Sequence, residues 1–119
     1  MDNTFYSPDV EDWHAWLQAN HLTSNQVWLI YYKKTTRLPS ISYEDSVDEA
    51  LCFGWIDIRV RRIDDERYAI LFTPRRVKSH WSESNQQRVR KLIKEGRMTP
   101  AGMVLVTFPL DETSGTSQT

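Results

Sequence analysis

The sequence predicts an α+β domain, a small mainly antiparallel sheet with a β-hairpin, covered by about four helices, and three observations carry that expectation. Apolar stripes at helical spacing, each opened by a capping residue, alternate with short β-branched and aromatic runs. Two of those runs, residues 55–63 and 67–73, flank the acidic turn Asp64-Asp65-Glu66. A chain of 119 residues with 39% hydrophobic residues holds enough apolar surface for one core and is too short for two.

Each element has its own signal. Ser7-Pro8-Asp9 supplies an N-cap, a first-turn proline and an early acid, and Val10, Trp13, Trp16 and Leu17 follow on one stripe, so a first helix is expected over residues 8–20. Residues 27–32 read VWLIYY, too short for a typical helix and apolar on both sides, which suits an inner strand. Residues 38–41 offer an additional strand. Ser42 and Asp45 cap a second helix with Val47, Ala50 and Leu51 inward, Glu44, Asp48 and Glu49 toward solvent, and an end near Phe53-Gly54.

Side-chain parity sets the hairpin register. A three-residue loop places Val60 opposite Ile70, Ile58 opposite Phe72 and Arg62 opposite Tyr68, with Trp55, Asp57, Arg59 and Arg61 on the other face. A two-residue loop would instead set Arg59 against Phe72 and scatter the apolar set. Beyond Pro74, the residues Arg75, Arg76, Lys78 and His80 form a basic connector. Ser82 then opens a third helix with Val89, Leu92 and Ile93 inward and Gly96 as its stop. Thr99-Pro100 caps a short last helix carrying Met103, Val104 and Leu105. The reading is one globular domain over residues 1–106 and a polar, flexible tail over 107–119.

Composition narrows the function classes. The lone Cys52 forms no internal disulfide, and no Cys/His pair stands at zinc-ligand spacing, so neither a structural metal nor a cofactor is expected. With no basic leader and no apolar run near 20 residues, the expectation is a soluble cytoplasmic protein without membrane insertion. Charge is segregated. Residues 1–58 carry three basic and nine acidic side chains, whereas residues 59–97 carry twelve basic and five acidic. Such a division can mark a surface for anionic partners, or it can be an internal complement between acidic helices and basic neighbours.

The densest motif block runs from Glu49 to Trp81. Gly54 can end a helix and Trp55 start the core, or Trp55 can be a stacking platform with Asp57 as an anchor. Arg62, placed on the apolar face beside Tyr68, needs Asp57, Asp64, a carbonyl or a ligand as partner. The run Phe72-Thr73-Pro74-Arg75-Arg76 presents two guanidinium groups after a strand-terminal proline, which can clamp an oxyanion or form a solvated loop. Trp81 can lid such a pocket or staple the third helix to the core. The candidate ligand-binding residues are therefore Trp55, Asp57, Arg62, Arg75, Arg76, Lys78 and Trp81. His14, His21 and His80 lie in different elements, and neither Ser79 nor Cys52 has a base close in sequence, so the chain shows no complete catalytic constellation.

The segments EALCFGWID, Tyr32-Lys33-Lys34, RRIDDERY, FTPRR, SHWSESN and LIKEGRMTPAG resemble, in that order, the bacterial YdeI/OmpD-associated family, also described as bacteriocin-protection proteins. The resemblance spans the first helix to about Val106. Ile58 stands where that family commonly has a small residue, and the polar tail replaces a continued last helix. The resemblance implies a non-enzymatic stress or bacteriocin-protection protein that binds a protein or a small anionic ligand. A weak nucleic-acid-binding module using Arg59, Arg61 and the basic third helix, and a small enzyme with an unrecognised site, are the alternatives.

Overall fold

The computed structural model describes residues 2–110. Along the chain these form β1 (Thr4–Tyr6), α1 (Val10–Asn20), β2 (Val27–Tyr32), a 3₁₀ turn (Lys34–Thr36), α2 (Tyr43–Cys52), β3 (Trp55–Arg62), β4 (Arg67–Pro74), α3 (Glu83–Lys94) and α4 (Pro100–Met103). The fold is α+β, with a mixed four-stranded sheet ordered β1-β2-β4-β3. β1 runs parallel to β2, while the β2–β4 and β3–β4 pairings are antiparallel.

The apolar character of VWLIYY on both sides has a direct consequence. Val27, Leu29 and Tyr31 turn toward the helices with Ile70 and Phe72, and join Trp13, Leu17, Val47, Leu51, Val89 and Leu92 in the main core. Trp28 and Ile30 lie on the opposite face with Ala69, Leu71 and Ile63 in a second cluster that contains no helical residue. Among the described residues, the sheet thus has one helix-covered face and one face without a helix layer.

Several local expectations are corrected. α1 begins at Val10 and its N-cap is Asp9, which accepts from the Asp12 N–H at 2.9 Å. Ser7 lies before the cap and donates to the Asp9 carbonyl. Aspartate caps as well as serine, so the cap moves two residues on. β1, which pairs with Trp28–Ile30 positions of β2, was not anticipated, whereas residues 38–41 form no strand. There the chain, carrying Pro39, makes isolated contacts, Ile41 N–H to the Ser7 carbonyl at 3.1 Å and Tyr32 N–H to Ser40 Oγ at 3.1 Å.

The hairpin has the three-residue loop, with Val60 opposite Ile70 and Arg62 opposite Tyr68. Ile58, however, does not face Phe72. Asp57 pairs with Phe72 and Arg59 with Leu71, leaving Ile58 as the extra residue of a β-bulge. The extra residue reverses parity. Trp55 and Asp57 join the helix-covered face, and Arg59 and Arg61 alone remain on the other.

α2 also departs from expectation, because two of its acids are enclosed. Glu49 is 5% exposed; His14 Nδ1 lies against one carboxylate oxygen, and Arg97 Nη2 donates to the other at 3.0 Å. Asp48 accepts from Arg88 Nη1 at 2.9 Å, and Arg88 also pairs with Glu44, which is exposed. These acids lie between α1, α3 and the segment after α3, so the segregated charges meet inside the domain.

Glycines fix two junctions. Gly96, at φ +70°, closes α3 with its own N–H on the Ile93 carbonyl and the Arg97 N–H on Leu92, the paired bonds of a Schellman ending. Gly54 turns α2 into β3 at φ +79°, where a Cβ would lie 2.8 Å from Leu105 Cδ1 and 3.0 Å from the Ala101 carbonyl oxygen. α4 is capped by Thr99 with Pro100 in its first turn, and it stops at Met103. The tail expected to be flexible from Thr107 is packed at its start. The Phe108 ring meets Trp81 edge-on at 5.0 Å, and Arg90 Nη2 donates to the Pro109 carbonyl at 3.0 Å, while residues 111–119 lie outside the described residues.

Candidate functional site

β4 delivers Arg75 to the root of the hairpin, where its N–H donates to the Gly54 carbonyl at 2.8 Å. The guanidinium lies 3.8 Å from the Trp81 ring centroid, and Nη2 donates to Ser79 Oγ at 2.9 Å and to the His80 carbonyl at 2.8 Å. Arg75 is 8% exposed, its buried Nε has no partner, and it makes no ion pair among the described residues. Burial pulls its pKa below the usual arginine value. Trp81 is itself buried and donates from Nε1 to the Leu105 carbonyl at 3.2 Å. It staples the loop, α3 and the segment after α4, and it is not a lid.

The remaining predicted residues do not converge on that corner. Trp55 is 1% exposed, lies edge-on to Trp16 and donates to the His21 carbonyl at 3.4 Å, so it belongs to the core. Asp57 accepts from the Tyr43 hydroxyl at 2.9 Å. Arg62 sits at the hairpin tip, seven residues of strand from Arg75 across its Tyr68 partner, roughly 23 Å at the usual rise. Its side chain is 66% exposed and pairs with Asp65. Arg76 and Lys78 are exposed in the loop. A single clamp built from Arg62, Arg75 and Arg76 is therefore not assembled.

A different group of motif residues does converge. The end of β2, the turn after it, the start of α2 and β4 enclose a cavity of about 540 Å³ lined by Tyr32, Lys33, Lys34, Tyr43 and Tyr68, with Leu38 and Ile41 supplying apolar wall. Tyr68 stacks on Tyr31 with ring centroids 4.9 Å apart and planes 3° from parallel. Tyr31 is anchored below by a 2.6 Å hydroxyl bond to Ser46. Burial, followed by the hydrogen bond to Asp57, pushes the Tyr43 hydroxyl up to about 12, and burial also raises Tyr68, so both remain neutral donors near pH 7. Glu44 is the one acid of the lining and is paired with Arg88, whereas Lys33 and Lys34 make no ion pair among the described residues. The sequence carried half of this signal, since Tyr32-Lys33-Lys34 closes an aromatic run. The other half, Tyr68 beside Tyr31, requires the β2–β4 register.

Two further groups read as structure. Glu49 holds His14 and Arg97 together, with both of its oxygens engaged. Cys52 is buried, and burial pushes its thiol up to about 12, which suits a packed and unreactive side chain.

What these features define is a small α+β domain with a tyrosine- and lysine-lined cavity beside the first turn of α2. The chain belongs to the family described as a domain of unknown function, DUF8412, whose model matches residues 5–105 and so spans every helix and nearly all of the sheet. No curated protein and no solved structure matches it.

Proposed function

We propose that the domain is a non-enzymatic binding module for a small anionic ligand that carries an aromatic or apolar part, seated in the cavity beside Tyr43 and Tyr68 with Lys33 and Lys34 as its counter-charges. The observation that carries this reading is the placing of two ammonium groups that make no ion pair among the described residues beside neutral tyrosines in one cavity, in which the one acid of the described lining is paired with Arg88. The motif resemblance suggests the cellular setting, a cytoplasmic stress or bacteriocin-protection protein of the YdeI/OmpD-associated kind. Arg75 then serves the scaffold.

The test is a thermal-shift titration with salicylate, AMP and inorganic phosphate, since a ligand of the native state raises the melting temperature by mass action. Salicylate or AMP should stabilise the parent more than phosphate does, and Lys33→Ala/Lys34→Ala should abolish the difference. Equal responses in parent and double variant would remove the reading.

A second reading rests on Arg59 and Arg61, which share the helix-free sheet face with Tyr6 and Tyr32. Such a face suits weak, electrostatic contact with single-stranded nucleic acid. The same arginines also charge an edge strand against pairing. Oligonucleotide affinity should collapse with added salt; tight, sequence-selective binding at physiological salt would promote this reading over the first.

A further inference from the structure

On another side of the molecule, the C-terminal end of α1, β1 and the segment leading into β2 border a solvent-open cavity of about 350 Å³. Among the described residues its lining contains no ionisable side chain. Asn3, Asn20, Asn25 and Gln26 contribute carboxamides, Thr4, Thr23 and Ser24 contribute hydroxyls, and Trp16 forms an aromatic wall. We propose that this cavity binds a neutral polyhydroxy ligand, a hexose unit of a free or chain-terminal saccharide.

The frame of the site is fixed by the backbone. Ser24 and Thr23 N–H groups donate to the Asn20 carbonyl at 2.8 and 3.1 Å, and the Asn3 carbonyl accepts from Trp28 N–H at 2.7 Å. Within that frame the Asn20 amide donates to the Trp16 carbonyl at 2.8 Å, which leaves its own side-chain oxygen free. The carboxamides of Asn3, Asn25 and Gln26 have no protein partner among the described residues. A carboxamide offers two donors and an acceptor with two lone pairs, which matches a sugar hydroxyl that must both donate and accept. Trp16 is half-buried, stacked on Trp13 at 5.6 Å, T-shaped to Trp55 at 5.7 Å and tilted against Phe5 at 6.1 Å, so its ring is held in place. An indole surface accepts the apolar C–H face of a pyranose. Among the described residues no charged side chain lines this site, which separates it from the tyrosine–lysine cavity.

The test follows the side-chain amide and indole N–H signals of the full chain by ¹H–¹⁵N correlation NMR during titration with methyl glucoside, mannose and N-acetylglucosamine. At least one sugar should give saturable shifts on Asn3, Asn25, Gln26 and Trp16 at millimolar concentrations, the range a fragment of this size reaches. Asn25→Ala/Gln26→Ala, both changes in the loop, should weaken binding by at least about tenfold while the rest of the spectrum is preserved. Lys33→Ala/Lys34→Ala should leave the sugar response unchanged, which keeps this site distinct from the anion cavity. The proposal is overturned if none of the three sugars gives saturable shifts by about 50 mM, far above the affinity such a ligand needs, or if the parent and the loop variant respond alike, in which case the crevice holds water alone.

Discussion

The two ends of the β3–β4 hairpin treat the same residue type in opposite ways. At the root, Arg75 is buried on Trp81 and spends its donors on Ser79 and the His80 carbonyl. At the tip, Arg62 and Arg67 stand at the surface and pair with Asp65 and Asp64, each three residues away along the chain. The root is where α2, α3, the segment after α4 and the sheet meet, so a side chain there is enclosed by four parts of the chain. The tip meets the end of β2, where the Lys33 N–H donates to the Glu66 carbonyl at 2.8 Å and Tyr32 pairs with Arg67, and no helix encloses it among the described residues. Position along one hairpin, and not motif membership, decides whether an arginine is a strut or a solvated charge.

The largest effect should come from the root's core residue. Trp55→Ala removes a fully buried indole and should cost about 3–5 kcal/mol, measured by urea denaturation. A variant that unfolds like the parent would show that the root is not a packed core and would return Trp55 to the role of an exposed platform. Arg75→Ala comes next. It removes the stack on Trp81 and two hydrogen bonds from a charged donor, for an expected loss of about 2–4 kcal/mol. Arg75→Lys should recover little of that, because an ammonium cannot lie flat on the indole and reach both acceptors. At the tip, Arg62→Lys or Arg62→Ala should change stability by less than about 0.5 kcal/mol, as exposed ion pairs generally do. If Arg62→Lys unfolds the protein and Arg75→Lys does not, the contrast between root and tip is inverted.

Sequence reasoning reached the features that are local. Ser42, Ser82 and Thr99 cap the helices they were expected to cap, and Gly96 ends α3, because a cap is decided within four residues. The inner strand and the hairpin loop were legible from composition and parity. What escaped depends on distant partners. β1 is three residues long and is a strand by virtue of parallel pairing with β2. The bulge at Ile58 shifts register without any glycine to announce it. Glu49 looked like a surface acid until His14 and Arg97 closed on it from elsewhere in the chain. The candidate site failed in the same way. Arg62, Arg75 and Arg76 share a motif block, but an extended strand holds its ends far apart, whereas Tyr43 and Tyr68 are brought together by the sheet and α2.

The smallest effect tests the tip from within. The Asp64 carboxylate accepts from the N–H groups of Glu66 and Arg67 at 2.9 and 2.8 Å, and from Arg67 Nε and Nη2 at 3.0 and 2.9 Å. The side-chain bonds from Arg67, then the backbone N–H of Glu66, hold its pKa below the ordinary aspartate value, and Arg67 is raised in turn by the same pair. A carboxyl whose folded pKa is depressed contributes stability that is fully present above its unfolded value, about 3.9, and is lost as pH falls through the folded value. Comparing melting temperatures of the parent and Asp64→Asn should therefore show a small, constant gap from neutral pH down to about 5, closing below about 4 as the parent's carboxylate takes up its proton. Because the pair is exposed, the gap should also shrink with salt. A gap that persists unchanged at pH 3 would mean that Asp64 acts through its shape and neutral hydrogen bonds, and that the tip owes nothing measurable to its charges.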